Sequence, residues 1–140
     1  MKAEILLSMA IVLQTVTAKR FTPCELIEEF KKQGVTDNRE LNEWVCIARH
    51  ESSFNTRAMN KYNSDGSRDY GMFMISNKYW CQNDSPGHDC HIKCEDLRNE
   101  DISDDIQCAL QIKKIQGLTA WARWNSKCAN KTLEDVSSKC

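Results

Sequence analysis

The chain has 140 residues and a formal net charge of −1, and 28% of its residues are charged. This length suits one domain with a sizeable core and is too short for several independent modules. The balanced charge creates no basic field, so we expect no nucleic-acid partner and no strong attraction to an anionic surface.

The first 18 residues have the pattern of a secretory signal peptide. Lys2 precedes an apolar stretch at 5–13, and the sequence VTA at 16–18 offers small residues at cleavage-type positions. An anchoring segment is the alternative, but a membrane span needs roughly 20 apolar residues, and no later segment is a candidate. We therefore expect a secreted, extracellular protein without a membrane anchor, in which residues 19–140 form a single domain.

Cysteine usage points to the same compartment. The chain contains eight cysteines, and an even number in a small secreted chain indicates four disulfides formed under oxidising conditions. The sequence HDCHIKC also offers nitrogen and sulfur ligands of the kind that zinc binds, at His88, Cys90, His91 and Cys94. The export signal and the even cysteine count favour disulfides.

Helical signals come first along the chain. Thr22 can cap a helix in TPCELIEEFKKQG, with Glu25 completing a capping box and Gly34 ending the helix. A second helix is predicted over about 40–53, and its apolar residues follow steps of three and four that lead to Glu51. That glutamate is therefore expected on the apolar face of its helix.

The middle of the chain indicates a small β region. The turn sequence NSDG at 63–66 precedes an aromatic and apolar stretch at 68–75, which predicts a strand of an antiparallel hairpin or three-stranded sheet. Residues 82–102 lack periodicity and are expected to be loops held by disulfides. Helical patterns return over 103–117 and in a last short helix containing two tryptophans. The predicted fold class is α+β, with helices flanking a small sheet.

Two carboxyl groups stand out chemically. A carboxyl on an apolar helix face keeps its proton to higher pH, so Glu51 is a candidate acid, whereas Asp69 has polar neighbours that favour its ionised form. Such an unequal pair can cleave a glycosidic bond, because one group protonates the leaving oxygen and the other stabilises or attacks the sugar carbon. The alternative is two unrelated surface charges.

Six segments in succession resemble the landmarks of C-type lysozymes. They are CELIEEFKKQG, NEWVCIARHESSFNT, NSDGSRDYGMFMI, YWC, CALQIKKI and TAWARW, and together they cover essentially all of 19–140. The short connection KKIQGLTAW is most similar to insect members. The resemblance implies a lysozyme-like fold with a cleft between a helical lobe, about 19–57 and 103–140, and a β lobe, about 58–102.

The resemblance also implies a function. It is that of a monomeric muramidase that hydrolyses β-1,4 links between N-acetylmuramic acid and N-acetylglucosamine in bacterial peptidoglycan with retention, for antibacterial defence or digestion of bacteria. Glu51 matches the general acid and Asp69 the nucleophile or cation stabiliser. The matching substrate-binding positions are Asn63, Ser76, Tyr79, Trp80 and Trp121. The implied disulfides are Cys24–Cys140, Cys46–Cys128, Cys81–Cys94 and Cys90–Cys108.

Some residues depart from the family pattern. Met74 and Ser76 stand where the family usually has glutamine and asparagine, which weakens the polar lining of the cleft. The low net charge also differs from strongly basic bactericidal members. These departures keep an alternative open beside the muramidase, a catalytically weak or inactive lysozyme-like protein that binds peptidoglycan or chitooligosaccharides. Two sequons, at Asn83 and Asn130, are candidate glycosylation sites.

No cofactor is implied, but one acidic segment resembles a calcium loop. CEDLRNEDISDDIQC is similar to the calcium-binding segment of α-lactalbumin and some lysozymes, and it places Asn99, Asp104 and Asp105 at side-chain ligand positions. Asn99 replaces the usual aspartate, which lowers the negative charge of the segment. The alternative is that these acids only favour a helix N-terminus.

Overall fold

A computed structural model describes residues 10, 11 and 18–140. The predicted signal segment, 1–18, therefore lies almost entirely outside the described residues. Within the described part, no helix is long and apolar enough to cross a membrane.

The described chain is α+β, with four α-helices and a three-stranded antiparallel sheet. The helices are α1 (Pro23–Lys32), α2 (Asn38–Ser52), α3 (Ser103–Gln116) and α4 (Ala122–Lys127); the strands are β1 (Met59–Asn60), β2 (Asp69–Tyr70) and β3 (Ile75–Ser76); short 3-10 helices span Cys94–Arg98, Leu118–Ala120 and Ser137–Lys139.

Local capping explains where the first two helices begin. At the start of α1, Thr22 and Glu25 form the predicted capping box, with each side chain accepting from the other's backbone N–H at 3.1 Å. The Asp37 carboxylate accepts from the backbone N–H of Glu40 at 2.8 Å, so α2 begins two residues earlier than predicted. The helix ends at Ser52, and the capping residue Ser53 has a left-handed φ of 52°.

The prediction of a single strand over 68–75 was wrong, because the segment forms two short strands separated by a turn. The Met74 N–H donates to the Gly71 carbonyl at 3.1 Å, and both residues have positive φ, 47° and 79°. The register pairs Asp69 with Asn60 on one side and with Ser76 on the other. The turn thus folds the stretch back on itself and places Asp69 on the central strand.

The last predicted helix is also divided. Trp121 stands between the 3-10 turn Leu118–Ala120 and α4, so Trp124 is the one tryptophan within α4. An aromatic cluster joins this region to the first helices. The Trp44 ring stacks on Phe30 at 5.1 Å and meets the edges of Phe73 and Trp121 at 5.7 and 5.2 Å. The hydrophobic core therefore includes Trp121, which lies in the segment just before α4.

Four disulfides hold the described chain. Their pairs are Cys24–Cys140, Cys46–Cys128, Cys81–Cys94 and Cys90–Cys108, the same pairs that the resemblance implies. The first joins the start of α1 to the C-terminal residue, and the second joins α2 to the end of α4. The other two hold the loops after β3 to each other and to α3. No cysteine of the described chain is free for zinc.

Candidate active site

A cleft of about 470 Å³ lies where the sheet faces α2, α3 and the segment before α4. All seven residues predicted for catalysis or substrate binding line it, and they come from sequence positions up to 70 residues apart. They are Glu51, Asn63, Asp69, Ser76, Tyr79, Trp80 and Trp121. Folding thus brings together groups that the sequence could relate only through chemistry and resemblance.

Glu51 lies in the last turn of α2, partly buried and facing the cleft. Burial raises the pKa of its carboxyl to about 7, an increase that the charge of Arg123 opposes and that of Asp69 reinforces. A carboxyl with this pKa is still largely protonated in mildly acidic solution, where an ordinary glutamate has lost its proton. Glu51 can therefore donate a proton to a substrate oxygen in the cleft.

Asp69 lies on the central strand β2, and two amide side chains hold its carboxyl group. The Asn63 Nδ2 donates to Asp69 Oδ2 at 2.9 Å, and the Asn60 Nδ2 donates to the same oxygen at 3.3 Å. Asn60 also donates to the Asn63 Oδ1 at 2.9 Å, so the two amides orient each other. The carboxylate is therefore fixed in direction toward the cleft.

Asn60 is a site residue that the sequence analysis missed. The predicted turn at 63–66 contained the signal, because a hairpin centred between Ser64 and Asp65 pairs residue 60 with residue 69. The structure has this register. Facing residues of an antiparallel pair lie close enough for their side chains to interact, so the register alone would have identified Asn60 as a partner of Asp69.

Ser76 is the residue of β3 that pairs with Asp69, but its side chain is oriented by a contact with Lys78 rather than with Asp69. Its hydroxyl accepts from the Lys78 backbone N–H at 3.1 Å. Among the described residues, the side-chain donors to Asp69 are Asn60 and Asn63. Ser76 therefore lines the cleft without joining the amide pair that orients the carboxylate.

The aromatic positions differ in what they expose. Tyr79 is 51% exposed at the cleft, whereas Trp80, which also lines the cleft, is only 6% exposed. Its ring packs into the core beside Tyr79, at 6.3 Å and nearly edge-on. Trp121 is also largely buried, and its Nε1 donates to the Phe73 carbonyl at 2.9 Å. Tyr79 thus offers the largest ring surface for stacking on a sugar.

The three calcium candidates differ in burial. Asn99 is exposed, Asp104 is partly buried, and Asp105 is fully buried, with one oxygen beneath Gly71. Among the described residues, no three acidic, histidine or cysteine side chains group as metal ligands. These side chains thus form no ready-made group of acidic ligands, and no step of the chemistry below involves calcium.

Removing one amide from Asp69 should slow the reaction. We expect Asn63→Ala to lower kcat by about 10- to 100-fold with little change in KM, because a hydrogen bond to a charged acceptor contributes about 1.5–3 kcal/mol. Asn60→Ala, which removes the longer of the two bonds, is the matched comparison and should lose less. Steady-state kinetics on a soluble glycan would measure both, and unchanged kcat in Asn63→Ala would contradict the orienting role.

Asp105 should make the folded state less stable as pH rises. Burial, followed by the nearby Asp104, raises the pKa of the Asp105 carboxyl well above its usual value. The folded state then holds a proton that the unfolded state releases, so stability is greatest below the unfolded pKa of about 4 and falls above it. We expect Asp105→Asn to raise the melting temperature at pH 7, by about 4 °C per kcal/mol gained, and to leave it unchanged near pH 3.

The melting experiment includes its own control. Asp104→Asn removes a carboxyl that is less buried, so its effect at pH 7 should be smaller. Melting of EDTA-treated protein with and without millimolar calcium completes the test. A calcium-dependent rise that disappears in Asp105→Asn would show that this segment binds calcium through Asp105.

Comparison with known proteins agrees with this geometry. A model of the C-type lysozyme/alpha-lactalbumin family matches residues 19–140. Lysozyme c-1 of Anopheles gambiae is 43% identical over 136 residues, which cover 97% of this chain and 96% of that protein. The lysozyme of Galleria mellonella is 44% identical over 123 residues, 87% of this chain and 100% of that protein.

Solved structures give the same result. The crystal structure of a lysozyme from Litopenaeus vannamei is 41% identical and superposes with a TM-score of 0.75, covering 87% of this chain and 97% of that one. Lysozyme from Equus asinus is 38% identical with a TM-score of 0.78, covering 87% of this chain and 98% of that one. The similarity therefore extends over the fold and nearly the full length of these relatives.

Proposed function

The chain belongs to the C-type lysozyme/alpha-lactalbumin family, and on that premise we propose that it is a muramidase. It would hydrolyse β-1,4 links between N-acetylmuramic acid and N-acetylglucosamine in bacterial peptidoglycan. The observation that carries the proposal is the unequal carboxyl pair on one cleft: Glu51 with a pKa of about 7, and Asp69 oriented by two amides. The relatives matched over nearly their full length are named lysozymes, which favours an active enzyme over a glycan-binding protein.

The two groups divide the work of a retaining glycosidase. Glu51 protonates the oxygen of the leaving sugar, while Asp69 attacks or stabilises the sugar carbon as the bond breaks. Water then attacks that carbon. Glu51 removes a proton from the attacking water and so returns to its protonated starting state. Tyr79 at the cleft wall supplies an exposed ring on which a sugar face can stack.

The same proposal includes where the enzyme acts. The signal pattern of residues 1–18 and the four disulfides support secretion into an oxidising extracellular space. There the protein would act as a monomer on cell walls and would also bind chitooligosaccharides, in defence or in digestion of bacteria.

Clearing of a Gram-positive cell-wall suspension at low salt, followed from pH 4 to pH 8, tests the proposal. Because Glu51 must be protonated at the start of each cycle, we expect activity to fall as pH rises through about 7, by about tenfold for each pH unit well beyond it. The pH dependence of kcat/KM on a soluble glycan would report the pKa of the free enzyme. Absence of clearing at every pH, with chitooligosaccharide binding intact, would favour the glycan-binding alternative.

A further inference from the structure

Lys78 places a positive charge on the wall of the proposed active-site cleft. It follows β3, two residues after Ser76, and it is the one basic side chain among the described residues that line the cleft. Its side chain is 46% exposed, so the ammonium group is accessible to a ligand in the cleft. A polymer of neutral sugars has no charge for this group to bind.

A chain of contacts connects Lys78 with the catalytic carboxylate. The Lys78 Nζ lies 3.1 Å from the Asp65 Oδ2. The Ser67 hydroxyl donates to the Asp65 Oδ1 at 2.6 Å. The Asn63 Nδ2 then donates both to the Ser67 Oγ at 3.2 Å and to the Asp69 Oδ2 at 2.9 Å. Lys78 is therefore linked through Asp65, Ser67 and Asn63 to Asp69, the group proposed to contact the reacting sugar.

The ammonium group can bind a second anion in addition to Asp65. It has three N–H donors, more than the one contact to Asp65 requires. Both members of the pair are about half exposed, and exposed pairs of this kind contribute little to stability, so rearranging the pair has a small cost. The Nζ also lies 5.2 Å from the centre of the Tyr79 ring, which keeps the charge next to the proposed stacking surface.

We propose that Lys78 is a specificity-determining residue that binds carboxylates on the lactyl-peptide arms of muramic acid. The inference rests on the glycosidase function proposed for the same cleft and names what that cleft would prefer. In a peptidoglycan strand every second sugar carries such an arm, whereas a chitooligosaccharide carries none. The Lys78 ammonium thus has a partner on the anionic strand and none on the neutral one.

Binding to a pair of glycans of equal length tests the inference. The probes are a soluble, uncrosslinked peptidoglycan strand and a chitooligosaccharide, and a Glu51→Gln background prevents turnover during the measurement. We expect Lys78→Gln to weaken binding of the anionic strand by about three- to fivefold and to leave chitooligosaccharide binding unchanged. Lys78→Arg, which keeps the charge, should retain the preference for the anionic strand. In the proteins that keep the charge, this preference should shrink as salt is added.

Kinetics provide a second measurement. With Glu51 intact, Lys78→Gln should raise KM for the peptidoglycan strand by the same factor, whereas a loss passed to Asp69 through Asp65 and Asn63 would lower kcat on both glycans alike. Lys31→Gln is the matched control, since Lys31 is an exposed lysine of α1 and does not line the cleft. It should change neither constant.

Two results would overturn the inference. Equal losses on both glycans would mean that Lys78 acts only by holding Asp65 and the contacts to Asn63, and unchanged binding of both would mean that it does not contact the arms. If the wild type cleaves neither glycan, the proposed function fails, whereas the ratio of the two dissociation constants in the Glu51→Gln background still decides the role of Lys78.

Discussion

Glu51→Gln is expected to reduce kcat for glycan cleavage by about 10²–10⁴-fold while leaving sugar binding intact, because general acid catalysis contributes roughly this much. The glutamine side chain has nearly the same size but cannot give a proton to the leaving oxygen. Turnover of a soluble glycan and its dissociation constant, measured on the same preparation, would separate chemistry from binding.

A second glutamate on α2 is the matched control for this substitution. Glu43 is partly buried, its pKa is also raised by burial, and it does not line the cleft. Glu43→Gln should therefore leave kcat unchanged. If Glu51→Gln retained wild-type activity, or if both variants lost it equally, the assignment of Glu51 as the acid would be wrong.

Gly71→Ala is expected to destabilise the fold by about 2–5 kcal/mol. Gly71 has a φ of +79°, and a Cβ there would lie 2.1 Å from the Leu97 carbonyl oxygen and 2.7 Å from Asp105 Oδ2. Left-handed backbone costs a residue with a side chain about 1–2 kcal/mol, and overpacking adds about 1–3 kcal/mol.

Gly66→Ala separates the two contributions. Gly66 has nearly the same φ, +81°, but a Cβ there would meet nothing within 4 Å. It should therefore lose only the conformational part, about 1–2 kcal/mol. Denaturant unfolding of both variants would measure the difference, and equal losses would show that the contact with Leu97 does not constrain the turn.

Features set by neighbouring residues were predictable from the sequence. The capping box of Thr22 and Glu25 needs only a spacing of three residues, and the position of Glu51 follows from helical periodicity. The candidate acid and its partner Asp69 could be named from chemistry and resemblance, and the structure places both on one cleft. Their catalytic roles remain the proposal that the Glu51→Gln experiment tests.

Features set by distant residues were not predictable in the same way. The break in the stretch 68–75 depends on the approach of Gly71 to Leu97, which lies 26 positions away, and an aromatic and apolar composition alone favours one continuous strand. The burial of Trp80 likewise depends on core partners from other elements. Asn60 is an intermediate case, because its pairing with Asp69 follows from the hairpin register once the turn is placed.

The bond between Cys24 and Cys140 has a topological consequence for a protein exposed to proteases. It closes a covalent ring over a separation of 116 residues, and the other three disulfides lie within that ring. A single cut in any peptide bond between these two cysteines opens the ring but releases no fragment. One nick therefore leaves Glu51 and Asp69 in the same covalent molecule, and two cuts are needed before any piece of the cleft can be lost.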